Sequence, residues 1–466
     1  MKARVTLVNP PYPRGAPQSL FIPLGIGYLA AVLEKNQYDV EVIDYQGLNP
    51  TRKQLEAELI KSHPDVVGVT TSTLTYNPAL DIVKAAKEVL PNCLTILGGP
   101  HVTVLDEQTL SEAPEADVIV RGEGEQTMLE HADLASKSEL KKLGQVEGIT
   151  FRNGEKTFQT PNRTFIQDLD QLPHPAYKYF PLDSYRVFGK LFLPIITSRG
   201  CPFQCAFCTS SRMFGKQFRA RSPKNIVDEL EMLRDVYGAD AFTFYDDTLT
   251  LERNRIFEIC ELIKNRKIGI PWDCQTRVDQ VSKEVLTKMR ETNCQQIFFG
   301  VESGCQEILD ALRKKTSIEQ NANAIKWAKD AGLFVAISVM VGYPGETTDT
   351  LKQTLDFVRK TKPDDVYLCV ATPYPGTELR RLVEDMGLEM STDWGLYDTI
   401  TPVFENPLLP AEEIRRIRTE FYDSFYSPMY VLRHLFKSNF YGRIMARTAV
   451  NHLIWRIRLW RGRSAF

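Results

Sequence analysis

A chain of 466 residues that is 43% hydrophobic and 25% charged is globular, and it is too long for one ordinary core, which sets an expectation of about three domains. The formal net charge of -2 excludes nucleic-acid binding through the overall charge balance and leaves only a local basic patch to meet phosphates or anionic lipid. The opening MKARVTLVNP holds too short an apolar run for a signal peptide, and no stretch reaches the roughly 18 apolar residues of a membrane span, so a soluble or surface-bound cytoplasmic protein is expected.

Residues 1–135 alternate β-branched runs with helical patterns. The runs are ARVTLVN, DVEVID, DVVGVTTS, LTILGG and ADVIVRGEG. Strands separated by helices of this length predict a doubly wound parallel sheet, with ligands beyond the strands' carboxyl ends. Those ends are Asn9-Pro10-Pro11, Thr71-Ser72-Thr73, Gly98-Gly99-Pro100-His101 and Gly122-Glu123-Gly124-Glu125. No G-x-G-x-x-G follows the first strand and no Walker lysine is present, which disfavours a dinucleotide or a nucleoside triphosphate.

Residues 136–190 read as a linker with a hairpin, GITFRNGEKTFQ, turning at Asn153-Gly154, followed by the proline-bearing QLPHPAYKYFP. From 191 to 385 a second βα series runs through LPIITS, AFTFYD, PWDCQTR, QIFFGVES, FVAISVMVG and DVYLCVAT. Six such units predict a partial α/β barrel with its chemistry at the carboxyl face. Residues 386–466 are helical and basic. Beyond Asp423 no acidic residue occurs, and Arg433, Lys437, Arg443, Arg447, Arg456, Arg458, Arg461 and Arg463 interleave with aromatics including Trp455 and Trp460. Met429, Leu432, Phe436, Phe440 and Ile444 form a roughly helical stripe. Such a tail is a packed cap with a solvated face, a membrane-interface element, or, least favoured by composition, a nucleic-acid contact.

Nine cysteines is an odd number, and three fall in SRGCPFQCAFCT, directly after the first barrel strand. That is not how a secreted disulfide framework is spaced, and reduced thiols fit better. Cys201, Cys205 and Cys208 give Cys-x3-Cys-x2-Cys, three soft ligands on one loop, able to hold three irons of a cubane and leave the fourth open. A structural zinc site would need four protein ligands, and no fourth stands at finger-like spacing. The remaining cysteines, Cys93, Cys260, Cys274, Cys294, Cys305 and Cys369, are scattered singly and read as small buried hydrophobes.

The motif, with the aromatic Phe207 before its last cysteine, resembles that of the radical S-adenosylmethionine superfamily over roughly residues 190–385. The resemblance implies a 4Fe-4S cluster, S-adenosylmethionine chelated at the open iron and split to a 5'-deoxyadenosyl radical, and a reductase, ferredoxin or flavodoxin as electron donor. It also implies cofactor contacts at the strand ends Asp246, Arg277, Glu302, Ser303 and Gly342, with Glu302 or Ser303 and Arg277 on the methionine or ribose groups.

Placed before such a barrel, the first sheet resembles the cobalamin-binding domain of cobalamin-dependent radical enzymes. This implies cobalamin near Asn9, Pro10, Pro11, Thr71, Ser72, Thr73, Gly98, Gly99, His101, Gly122 and Glu123. None of the six histidines follows an aspartate by two residues, so the Asp-x-His-x-x-Gly ligand motif is absent and His101 reads as a loop residue near the cofactor tail. The function implied is methylation of an unactivated carbon: the adenosyl radical takes hydrogen, the carbon radical attacks methylcobalamin, and a second S-adenosylmethionine restores it. A non-methylating member, such as the anaerobic magnesium-protoporphyrin monomethyl ester cyclases or the lipid-modifying enzymes, is the alternative. A sensor that keeps the cluster without turnover is a third reading. The substrate class stays open among small molecules, lipids and peptides.

Overall fold

The computed structural model describes residues 2–13, 21–154 and 156–435, together with Tyr441 and Val450. Most of the basic tail and of its apolar stripe, from Phe436 and Lys437 to Arg463, and the Arg433 side chain lie outside the described residues. The chain forms two compact units. One comprises the described residues up to Ala239, Tyr245–Asp247 and Thr372–Val403; the other comprises Asp240–Phe244, Thr248–Ala371 and the described residues from Phe404 onward.

In the first unit, β1 (Arg4–Asn9), β2 (Asp39–Asp44), β3 (Val66–Thr70), β4 (Leu94–Gly98) and β5 (Val118–Val120) pair in parallel in the order β2-β1-β3-β4-β5. The near-continuous burial of β1, β3 and β4 fits strands covered on both faces. One face packs on the helices Arg52–Ser62, Tyr76–Val89 and Asp106–Glu112 around Val8, Leu59, Val67, Leu97 and Ile119. Truncating the fully buried Leu59 to alanine there would cost about 2–5 kcal/mol. Helices Leu24–Lys35 and Glu125–Ser136 line the slot described below. The Asn153-Gly154 hairpin forms as β6 (Ile149–Asn153) and β7 (Lys156–Gln159), which pair antiparallel and extend the sheet beyond β5. Then follow β8 (Arg186–Val187), β9 (Lys190–Ile195) and a two-stranded antiparallel ribbon, β10 (Ser198–Arg199) with β11 (Arg219–Ala220).

In the second unit, β12 (Ala241–Phe244), β13 (Trp272–Arg277), β14 (Cys294–Glu302), β15 (Phe334–Val341) and β16 (Asp365–Val370) lie side by side in chain order, all parallel. Their crossover helices start where side chains satisfy the first free N–H groups. Ser282 accepts from Val285, and Ser317 with Gln320 and Thr347 with Thr350 form capping boxes. The doubly wound sheet is thus present in the first unit, and five parallel strands of the expected barrel series stand in the second. Ile297, Phe299 and Val301 of β14 are fully buried, while Phe298 on the opposite face is half-buried and meets the half-exposed Tyr367 with ring centroids 5.5 Å apart. No helix among the described residues is long and apolar enough to cross a membrane.

Candidate functional site

The cysteine loop lies between β10 and β11. Gly200, just ahead of Cys201, has φ +83°, and a Cβ there would sit 2.1 Å from the Gln217 carbonyl oxygen, so only glycine lets the two sides of the loop approach. The Cys201 N–H donates to the Gly215 carbonyl at 3.3 Å, Cys208 N–H to Cys205 O at 3.2 Å, and Leu379 N–H to Ala206 O at 2.9 Å. Upstream, the buried Asp246 carboxylate accepts from the Thr197 N–H at 3.2 Å, the Thr197 hydroxyl at 2.8 Å and the Ser198 hydroxyl. Asp246, predicted as a cofactor contact, therefore holds the strand that leads into the loop. Its neighbour Asp247 accepts from Ser210.

Cys201 and Cys205 are half-buried and Cys208 reaches the surface. Although that residue meets water, its sulfur is packed closely enough by protein that desolvation, then Asp247, Cys205 and Cys201, raise its pKa to about 12. Three thiols and a carboxylate crowded this way disfavour thiolate unless a cationic centre joins them. Among the described residues no three His, Cys, Asp or Glu side chains stand at the spacing of a single metal ion. A cubane makes a different demand, placing each sulfur on a separate iron. Phe207 is half-buried within the loop.

Beyond the carboxyl ends of β1, β3, β4 and β5 lies a cavity of about 160 Å³ whose walls are mostly apolar. Its floor is Leu7, Gly68 and Ile96. Its rim is Gly98, Gly99, Gly122 and Glu123, and its sides are Ile26, Tyr28, Leu29, Met128, Met213 and Phe214. The direction of the strand order reverses between β1 and β3, which is where such sheets open a crevice. A Cβ on Gly68 would lie 2.4 Å from Met128 Cε, so bareness there shapes the floor. Gly99, at φ +108°, is required by its approach to the Thr71 backbone, whereas a Cβ on Gly98 would make ordinary contact with Val120 at 3.8 Å.

Of the predicted cobalamin contacts, Gly98, Gly99, Gly122 and Glu123 line this cavity. Asn9, Pro10, Pro11, Thr71, Ser72, Thr73 and His101 do not. Asn9 donates to Asp44 at 2.8 Å and the Thr71 hydroxyl to Gly98 O at 2.8 Å, each tying the ends of neighbouring strands, and Ser72 bonds Thr75 within the turn after β3. His101 is buried against Tyr76 and Trp394, with Nδ1 3.1 Å from the Thr73 hydroxyl. Burial, with Arg380 nearby, lowers its pKa to about 4, so the ring is neutral.

Sequence reasoning passed over the partners of Glu123 and Glu125. Arg199 donates to Glu123 at 3.0 Å and to Glu125 at 2.5 Å, and Arg219 donates to both Glu123 oxygens at 2.9 and 3.0 Å. The only linear cue was an arginine two residues before the first cysteine.

In the second unit, the strand-end residues form their own cluster. Glu302 has φ +66° at a register shift between β14 and β15, a strain on the order of 1–3 kcal/mol for a residue with a side chain. Its carboxylate folds over Gly300, where a Cβ would stand 2.5 Å from Oε1, and is held by Lys314 Nζ at 2.9 Å and the Ser338 hydroxyl at 3.3 Å. Arg277 donates to Asp279 at 2.9 and 3.0 Å and to the Lys314 carbonyl at 2.7 Å. Arg277 and Glu302 are thus brought together through Lys314. Ser303 is fully buried and bonds the Thr354 hydroxyl at 2.9 Å, and the Gly342 N–H donates to the buried Glu346 at 2.5 Å. Cys274 lies at the amino half of β13, beside Cys294, away from the carboxyl ends.

Comparison with known proteins gives two matches within the chain: the Radical SAM superfamily over residues 195–358 and the B12 binding domain over residues 15–132. An uncharacterised methyltransferase of Pyrococcus horikoshii is 35% identical over 89% of this chain and 90% of its own. The anaerobic magnesium-protoporphyrin IX monomethyl ester cyclase of Rubrivivax gelatinosus is 31% identical over 88% of this chain and 75% of its own. Among solved structures, the radical S-adenosylmethionine methyltransferase TsrM from Kitasatospora setae, with cobalamin and a [4Fe-4S] cluster bound, matches with a TM-score of 0.77 at 16% identity, over 97% of this chain and 100% of that one.

Proposed function

Because the chain belongs to the radical S-adenosylmethionine superfamily, in the group that carries a B12-binding domain ahead of the radical domain, we propose that it is a cobalamin-dependent methyltransferase acting on an unactivated carbon. When bound, the cluster supplies the electron that splits S-adenosylmethionine, and cobalamin supplies a transferable methyl group. The observation that carries the reading is the combination, in one unit, of a glycine-closed loop of three thiols with an apolar cavity at the sheet's switch point.

Both groups fit the residues present. Cys201, Cys205 and Cys208 hold soft donors on one tethered loop, and their crowding favours a cationic centre. Gly98, Gly99, Gly122 and Glu123 at the rim, with the apolar side chains around Gly68, would hold the corrinoid. Glu302 and Arg277, joined by Lys314, offer a carboxylate and a guanidinium to the polar groups of S-adenosylmethionine. A cytoplasmic setting and a ferredoxin- or flavodoxin-type electron donor belong to the same proposal, as does peripheral membrane contact by the basic tail.

Anaerobic reconstitution followed by iron, sulfide and corrinoid analysis tests the cofactors. Incubation with reductant and S-adenosylmethionine tests the chemistry: 5'-deoxyadenosine with S-adenosylhomocysteine and a product one methylene heavier supports methyl transfer. The second reading, a non-methylating enzyme, is favoured by the 31% identity to the magnesium-protoporphyrin cyclase. It predicts 5'-deoxyadenosine without S-adenosylhomocysteine.

A further inference from the structure

Three charges, Arg199, Glu123 and Glu125, are buried in the wall of an otherwise apolar cavity, and a fourth, Arg219, is buried behind them. Arg199, Arg219, Glu123 and Glu125 are each less than a tenth exposed, and Arg199 and Arg219 are direct register partners on the β10–β11 ribbon. Two guanidiniums side by side repel, and the pairing is tolerable because Glu123 accepts from both while Glu125 takes the second arm of Arg199. Arg219 also donates to the Ile166 carbonyl at 2.6 Å and the Phe214 carbonyl at 2.9 Å. The Arg199 guanidinium lies 5.1 Å from the Tyr28 ring and 5.7 Å from the Phe214 ring.

Buried ion pairs are weak stabilisers, since apolar side chains of similar volume commonly do as well or better, and their best-attested use is to fix one arrangement. What this set fixes is specific. β10 runs into Cys201 and β11 follows Cys208, so the two arginines flank the cysteine loop on both sides. Glu123 and Glu125 stand on the turn after β5, where both line the cavity together with Arg199, Tyr28 and Phe214.

We propose that Arg199 and Arg219 are positioning residues, which lock the two strands flanking the cysteine loop onto the Glu123 and Glu125 wall of the cavity, so that the cluster and a corrinoid keep one fixed separation. This rests on the proposed function. Lysine cannot replace arginine at 199, because one ammonium lacks the fork that reaches two carboxylates. The network also accounts for a Gly-Glu-Gly-Glu turn that gives both acids to a loop far away in sequence rather than to a ligand.

The test uses the full chain reconstituted with cluster and hydroxocobalamin, reduced so that the cluster and cob(II)alamin are both paramagnetic, and read by electron paramagnetic resonance. Dipolar coupling between the two spins falls with the cube of their distance. The wild type is expected to show one defined splitting. Arg199→Lys is expected to lose it, the splitting being read on the chains that carry both centres. Should Arg199→Lys fail to fold, Glu125→Gln, which keeps size and hydrogen bonding, carries the same readout with the same expected loss. An identical splitting in the variant overturns the proposal. A wild type that holds the cluster but no corrinoid overturns the proposed function and this inference together, and is told apart by the missing cob(II)alamin signal.

Discussion

Asp246 and Thr197 are joined twice, through the Thr197 N–H at 3.2 Å and its hydroxyl at 2.8 Å, four residues before the first cysteine of the loop. The carboxylate is buried, and the Ser198 hydroxyl donates to it as well. Asp246→Ala removes the shared acceptor of three donors, which should destabilise the protein by about 2–4 kcal/mol. Anaerobic reconstitution should then yield less iron and sulfide per chain than wild type, and Asp246→Asn should fall between the two.

Gly200→Ala should be more severe for the cluster than for the fold. Its Cβ would lie 2.1 Å from the Gln217 oxygen at a φ of +83°. The ribbon must open to relieve this, at a cost of about 1–3 kcal/mol. Loss of the cluster's charge-transfer absorption, with far-ultraviolet circular dichroism retained, is the expected outcome.

Gly98→Leu separates the two cofactors. Position 98 has an ordinary φ and lines the cavity, and a Cβ there would meet only Val120, at 3.8 Å, so the backbone tolerates a side chain whose bulk takes up cavity space. Corrinoid content after reconstitution should drop at least tenfold, a change of about 1.4 kcal/mol or more. Iron content should hold at the wild-type level, and equal corrinoid loading would count against the assignment of the cavity.

Two histidines should make the protein acid-sensitive. Burial lowers the pKa of both His101 and His131 to about 4. Between that value and the unfolded value of about 6.5, the unfolded chain binds protons that the native state does not. The stabilisation is therefore present above about pH 6.5 and is lost as pH falls to about 4, at up to about 3 kcal/mol per ring. Urea unfolding of His101→Gln should show a shallower loss across this window than wild type.

Asp273 works in the opposite direction. Burial raises its pKa to about 7, against the hydrogen bonds from Tyr441 and Thr243. Here the native state keeps a proton that the unfolded chain has released, so the contribution is complete below about pH 4 and is lost as pH rises through 7. Asp273→Asn should gain on wild type by on the order of 4 kcal/mol between pH 4 and pH 8 in denaturant unfolding.

The two βα series and the cysteine loop were legible because each rests on local signals: β-branched runs for the strands, capping residues for the helices, and thiol spacing for the loop. Strand ends were legible too: Gly98, Gly99, Gly122 and Glu123 border the cavity. What each strand-end side chain contacts was not. Asp246 meets Thr197, 49 residues away, Glu123 meets Arg199, 76 residues away, and Ser303 meets Thr354, 51 residues away. A linear pattern marks a polar residue at a site but carries no information on whether the fold supplies its partner. For the same reason Asn9 and Thr71 read as ligand contacts, although their hydrogen bonds join the ends of neighbouring strands, to Asp44 and Gly98, 35 and 27 residues away.

The hydrogen bond from Leu379 to the Ala206 carbonyl bears on biosynthesis. Ala206 sits between the second and third cysteines, yet its backbone partner is translated well over a hundred residues later. On the ribosome the loop lacks this bond until the helix Glu378–Asp385 emerges, so its closed form is completed only after that helix is made.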